Sequence, residues 1–131
     1  NTAKVAHRVA EALRAKGIEV KEIDLCRSDI SEAVSQAFRY GKMVLCASSY
    51  DSGVFPPMHI FLYKLGIKGY QSRRVALVEN GTWAPTAGKT MRGMLETMKN
   101  IDLVEPTLTI RSAWKEEYEE QLQTLVESIS L

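Results

Sequence analysis

In the first sixteen residues apolar side chains recur at Val5, Val9 and Leu13, with Ala6, Ala10 and Ala12 beside them and Lys4, Arg8, Glu11 and Arg14 supplying polar faces. This spacing predicts an amphipathic helix, which Gly17 ends by accepting the left-handed backbone common at helix termini. Residues 18–24 alternate apolar and polar, which predicts a strand at an edge or half-covered position. Ser28 and Asp29 offer N-cap chemistry to a helix running through Phe38 and stopped at Tyr40-Gly41. Within residues 42–47, Lys42 opens a continuous apolar run through Ala47, the pattern of a parallel strand covered on both faces. A turn-forming segment, 48–57, leads into an apolar helix over 58–65 that Gly66 closes. Residues 75–78 repeat the buried-strand pattern and run into a polar, glycine-bearing loop, 79–86. A helix over 88–99, a last strand over 103–110 and a closing helix over 115–129 complete the chain, with Pro106 predicting an edge or bulge in that strand.

Helices and strands therefore alternate along the chain, which predicts a parallel sheet with right-handed crossovers and helices on both faces. Ligands in such folds bind outside the carboxyl ends of the strands. The segments to search are Asn1-Thr2, residues 48–57 and residues 79–86. The chain enters its first helix at once from Asn1, which predicts that an element leading into it belongs to a larger protein.

Composition narrows the picture. The 131 residues fit one domain, and 45% apolar with 25% charged residues is ordinary globular composition. No apolar run approaches the ~20 residues of a membrane span, and no secretory leader pattern is present. Seventeen basic and sixteen acidic side chains leave a net charge of +1, too balanced for bulk attraction to nucleic acid. Cys26 and Cys46 sit in apolar surroundings and read as buried free thiols, which favours a reducing, cytoplasmic setting. His7 and His59 lack any metal-ligand spacing around them and read as surface and core residues.

Each candidate loop has a functional and a plain structural reading. Asn1-Thr2 opens a helix whose unpaired N–H groups and dipole favour an anion such as phosphate, but ordinary N-capping uses the same residues. In Ser48-Ser49-Tyr50-Asp51-Ser52-Gly53, hydroxyls can bond the edge of a flat heterocycle, Tyr50 can face its ring and Gly53 permits close backbone approach. The alternative is a polar turn before a proline-started helix. Asn80-Gly81-Thr82-Trp83-Ala84-Pro85 places a large aromatic at a strand's carboxyl end, where Trp83 can stack on a ring or fold back as a lid on the core.

These loops, in this order, resemble the phosphate loop and the two isoalloxazine loops of flavodoxins, and more closely those of the flavodoxin domain of flavodiiron proteins (A-type flavoproteins). The matching residues are Ser48 to Pro56, Gly81-Thr82-Trp83 and the later Ala113-Trp114-Lys115. The resemblance implies a flavodoxin-like three-layer α/β/α fold with its first strand missing, and FMN as cofactor. It assigns Asn1 and Thr2 to the end of the phosphate loop, and residues 48–53 and 80–85 to the flanks of the flavin. It also implies a larger machine, with FMN feeding electrons to a di-iron domain that reduces oxygen or nitric oxide, a rubredoxin-type donor and a head-to-tail homodimer. Three departures stand out: the middle loop is one residue shorter than the family's usual form, Glu79-Asn80 replaces a small residue followed by Ser, and the opening half of the phosphate loop is absent.

Flavin chemistry requires no acid, base or nucleophile from the protein, so no catalytic residue is assigned. Carboxylates near the ring, Asp51 and Glu79, are expected to lower the potential of the final reduction step. The rival readings are a phospho-receiver domain, which lacks its Asp where Ser48 stands; a stand-alone flavodoxin shuttle; a flavin or quinone reductase; and a flavin-free interaction module whose exposed strand edges invite pairing with another chain.

Overall fold

The computed structural model describes residues 2–50, 53–81, 86–111 and 114–131, and of Tyr50 the backbone alone. The elements, in chain order, are α1 (Thr2–Ala15), α2 (Ile30–Arg39), β1 (Lys42–Tyr50), β2 (Gly53–Val54), α3 (Pro56–Ile67), β3 (Arg73–Asn80), α4 (Ala87–Glu96), β4 (Ile101–Leu103), β5 (Leu108–Ile110) and α5 (Glu117–Ser130).

β3 is the axis of the sheet. It pairs in parallel with β1 from Lys42↔Arg74 to Ser48↔Asn80 on one edge, and on the other with β4 low down and β5 higher up. Its Val75, Ala76, Leu77 and Val78 are at most 1% exposed, as a run covered on both faces predicts. Alternation sends Val75 and Leu77, with Leu45 and Ala47 of β1, into one core with α2, α3 and α4. Ala76 and Val78 enter the other core, with Val44 and Cys46 of β1 against α1 and α5. The result is a three-layer α/β/α domain with a mostly parallel sheet.

The helix ends follow their local chemistry. Gly17 ends α1 at φ +80, a conformation costly for any residue with a Cβ. Asp29 caps α2 by accepting from the Ser31 N–H at 3.4 Å. Proline begins α3, where its missing N–H costs nothing.

Several expectations need correction. The single strand predicted over 103–110 is instead the last residue of β4 (Ile101–Leu103) and the separate β5 (Leu108–Ile110), because the chain leaves the ladder around Glu105-Pro106, where proline offers no N–H to it. Cys26 is exposed, since its segment turns over residues 25–28 instead of entering the core; its N–H donates to the Asp24 carboxylate at 2.9 Å. β2, which pairs antiparallel with the end of β1 at Ser49↔Val54 and Tyr50↔Gly53, has no counterpart in the predicted pattern.

The largest correction concerns residues 18–24, which form no ladder. Their side chains still alternate between layers as a strand's would: Val20 packs on the α1/α5 core and Ile23 on the opposite one. Glu22 meets Arg14 of α1 at 2.8 Å, while Glu19 accepts from the Tyr40 hydroxyl just after α2 at 3.3 Å. The apolar side chains of the segment are thus divided between the two layers, and the backbone pairing is missing. β1 shows the complementary feature. Its Gly41-side carbonyl bonds Arg74 of β3, so by alternation Val44 and Cys46 aim their N–H and C=O groups away from β3, and among the described residues no ladder receives them.

Candidate functional site

The carboxyl ends of β1 and β3 lie side by side, with Ser48 and Asn80 as register neighbours. Following the alternation along both strands, Ser48 and Asn80 lie on the α1/α5 side of the sheet, and Ser49 and Glu79 on the α4 side. This division separates their roles.

On the α4 side the polar groups are occupied. Ser49 Oγ accepts from the Thr86 N–H at 2.7 Å and from the Ala87 N–H at 3.1 Å. One Glu79 carboxylate oxygen accepts from the Gly88 N–H at 2.8 Å, and the other accepts from the Thr109 hydroxyl at 2.7 Å. Thr86, positioned to cap α4 itself, makes no such bond and donates its hydroxyl to the Gly53 carbonyl at 3.1 Å. Glu79, expected to act as a carboxylate near the ring, has its carboxylate at the amino end of α4, where N–H groups need an acceptor. Gly88 makes room for it, since a Cβ there would stand 3.0 Å from the carboxyl carbon.

On the α1 side the polar side chains are uncommitted. Ser48 and Asn80 are half-buried and have no side-chain hydrogen bond among the described residues. Two residues below Ser48 on that face, burial pushes the Cys46 thiol up to about 12, so it stays protonated at neutral pH. The middle of α1 reaches the segment that follows β5, where Arg8 sits 4.7 Å over the ring of Trp114. No acidic residue occupies the first turn of α1, which leaves its N–H groups and the Thr2 hydroxyl compatible with an anion. Gly53 and Gly81 are held in place, the latter donating its N–H to the Ile110 carbonyl at 3.0 Å.

Of the predicted residues, Thr2, Ser48, Ser49, Gly53, Asn80 and Gly81 are therefore described, along with the Tyr50 backbone. Asn1, Asp51, Ser52, Thr82, Trp83, Ala84 and Pro85 lie outside the described residues, as does Ala113. Thr86, Gly88 and Thr109 were not foreseen; only the Thr86-Ala87-Gly88 start of a helix pattern hinted at the first two. A groove of about 950 Å³ between α3 and α4 is lined by residues such as Leu62, Tyr63, Tyr70 and Met94, and by none of the predicted ones. It runs along the helix layer and meets the strand ends only at Thr86. No group of His, Cys, Asp and Glu among the described residues could hold a metal ion, and no described helix is long and apolar enough to cross a membrane.

With this geometry in view, the fold is flavodoxin-like. The chain superimposes with a TM-score of 0.92 on rubredoxin:oxygen oxidoreductase from Desulfovibrio gigas, at 20% identity, covering 98% of this chain and 32% of that one. A flavodoxin from the domain Archaea gives 0.84 at 17% identity, covering 99% of this chain and 88% of that one. The flavodiiron protein of Giardia intestinalis gives 0.81 at 19% identity, covering 95% and 32%. In sequence the chain is 26% identical over 119 residues to an uncharacterized protein of Methanocaldococcus jannaschii, covering 90% of this chain and 30% of the relative. The chain thus spans about a third of the length of that curated relative. No family model matches.

Proposed function

We propose that this chain binds FMN at the carboxyl end of its sheet and serves as an electron-transfer domain. The observation that carries this reading is the pair Ser48 and Asn80: register neighbours, half-buried, with side chains that have no hydrogen-bond partner among the described residues, and on the face covered by α1. A flavin supplies the redox chemistry when bound, and the chain's own work is to bind, orient and exclude water. In this reading Ser48 and Asn80 hydrogen-bond polar edges of the cofactor, the amino end of α1 with Thr2 receives the phosphate, and Tyr50 and Trp83 flank the ring. The fit is chemical as well as spatial, because the first turn of α1 carries no carboxylate to repel a phosphate.

The finer parts belong to the same proposal. The flavodiiron likeness supports a partner domain with a di-iron site and a rubredoxin-type donor, in a cytoplasmic protein that assembles as a dimer. The backbone of Val44 and Cys46, which no ladder receives among the described residues, and residues 18–24, which also lack a ladder, support a strand preceding α1 in the full-length polypeptide. The same edge favours the second reading, an interaction module that receives a strand from another chain.

Titrating the purified chain with FMN tests the first reading. Flavin fluorescence is expected to quench with a Kd of about 1 µM or tighter, and Ser48→Ala with Asn80→Ala to weaken binding by roughly tenfold or more, as loss of buried hydrogen bonds implies. No quenching with ~1 mM FMN sinks the proposal for this chain.

A further inference from the structure

We propose that Glu79 and Ser49 are positioning residues, which fix the two strand-end loops relative to each other by both seating on the amino end of α4; the consequence for FMN rests on the reading above. The capping of α4 is unusual in its source. The residue best placed to cap the helix, Thr86, turns its hydroxyl to Gly53 instead. The N–H groups of Thr86, Ala87 and Gly88 are received by side chains from the ends of two different strands, Ser49 of β1 and Glu79 of β3. A local cap would satisfy these donors equally well and would connect nothing. Here the same bonds tie β1, β3 and α4 together, and the second Glu79 oxygen extends the tie to β5 through Thr109.

The loops hang from this hub. Gly53, at the far side of the first loop, is held by Thr86, and Phe55 donates its N–H to the Ser48 carbonyl at 3.0 Å. Gly81, at the start of the second loop, is anchored on Ile110 of β5 next to Thr109. Both loops therefore leave the sheet from anchors that share one helix end. The pairing of Glu79 with Gly88 is sterically specific, because any Cβ at residue 88 would approach all three carboxyl atoms to between 3.0 and 3.1 Å.

Amide hydrogen exchange on the full chain, without added flavin, decides whether the hub reaches the loops. In Glu79→Ala, exchange is expected to accelerate about tenfold or more at Gly88 and also at Gly81 and Phe55, with Leu95 and Val126 unchanged. Ser49→Ala is expected to act likewise on Thr86, Ala87 and Phe55, with Ser49→Thr restoring protection. Glu79→Gln, which keeps an acceptor for Gly88 and drops the charge, is expected to stay near wild type. Acceleration confined to the α4 amides would show a local cap and overturn the proposal, as would wild-type protection in both alanine variants. Titration with FMN then provides a second readout: Glu79→Ala is expected to weaken binding about tenfold while Glu79→Gln leaves it within about threefold. If Glu79→Gln instead shifts the flavin potential with affinity unchanged, the residue acts through its charge and not as a strut. If wild type binds no FMN, the functional reading fails, and the exchange data still decide the positioning role.

Discussion

β3 and β1 run side by side with similar sequences, yet only one is finished. β3 has ladder partners on both edges, and its four central residues are at most 1% exposed. β1 has a full partner on one edge and, on the other, among the described residues, only the short β2 at its end. Val44 and Cys46 are half-buried in consequence, although Leu45 and Ala47 between and beside them are buried. The comparison separates two things that a buried apolar run usually delivers together. Side-chain burial on the two faces comes from helices, and backbone satisfaction along the edges comes from strands. β1 has most of the first and half of the second.

Hydrogen exchange gives the largest expected contrast. The N–H groups of Ala76 and Val78 point toward β1 within a closed ladder, and their exchange is expected to require global unfolding. Those of Val44 and Cys46 point to the unpaired edge and are expected to exchange from the folded state, faster by about a thousandfold or more. Matching rates would mean that the edge is covered in solution, by self-association or by an upstream strand. Repeating the measurement on a longer polypeptide would then identify the cover.

Thiol labelling probes the same edge through a side chain. Cys46 keeps some solvent contact along the unpaired edge, yet the apolar packing around it dominates the thiol and pushes it up to about 12. Against an ordinary thiol near ~8.5, the thiolate fraction at pH ~8 falls by roughly three orders of magnitude. Iodoacetamide is therefore expected to modify exposed Cys26 in the folded chain and to reach Cys46 only in denaturant. Rapid labelling of both would show that β1 opens far more readily than its packing suggests.

The same contrast explains what could be read from the sequence. Every predicted helix and the two apolar strands are present, because each signal was a periodicity of burial, and burial is what the helices and β3 supply. Residues 18–24 carried a true alternation signal, and Val20 and Ile23 do face opposite cores. Pairing, however, depends on a neighbour that periodicity cannot reveal. The candidate site divides in a similar way. Ser48 and Asn80 stood out as polar residues at strand ends, a position the fold makes meaningful. The diversion of Ser49 and Glu79 to α4 was hidden, since it depends on which side of the sheet each residue faces and on the space left at Gly88. Likewise Cys26 was misread because the chain turns over residues 25–28, leaving Leu25 packed on the core and Cys26 exposed.

With no ladder to hold them, residues 18–24 depend on side chains, and Glu22 is the clearest of these ties. Its carboxylate accepts from Arg14 at 2.8 Å and approaches His7 Nδ1 at 3.2 Å, both on α1. Burial by itself works to raise its pKa, but the hydrogen bonds and charges of Arg14 and His7 outweigh burial and leave it below the ordinary carboxylate value. A depressed carboxylate adds stability that is fully present above the ordinary carboxylate range and is lost as pH falls through the lowered value. The side chain is about a third exposed, so solvent screening keeps the contribution small. Glu22→Gln is expected to cost ~0.2–1 kcal/mol at pH 7 in urea unfolding, with the cost shrinking as pH falls below the ordinary carboxylate range and in high salt. A penalty that persists unchanged at acid pH would mean that packing of Val20 and Ile23 holds the segment and that the ion pair only decorates it. A penalty much above this range would mean that, for residues 18–24, one surface carboxylate carries the order that a ladder provides for β3.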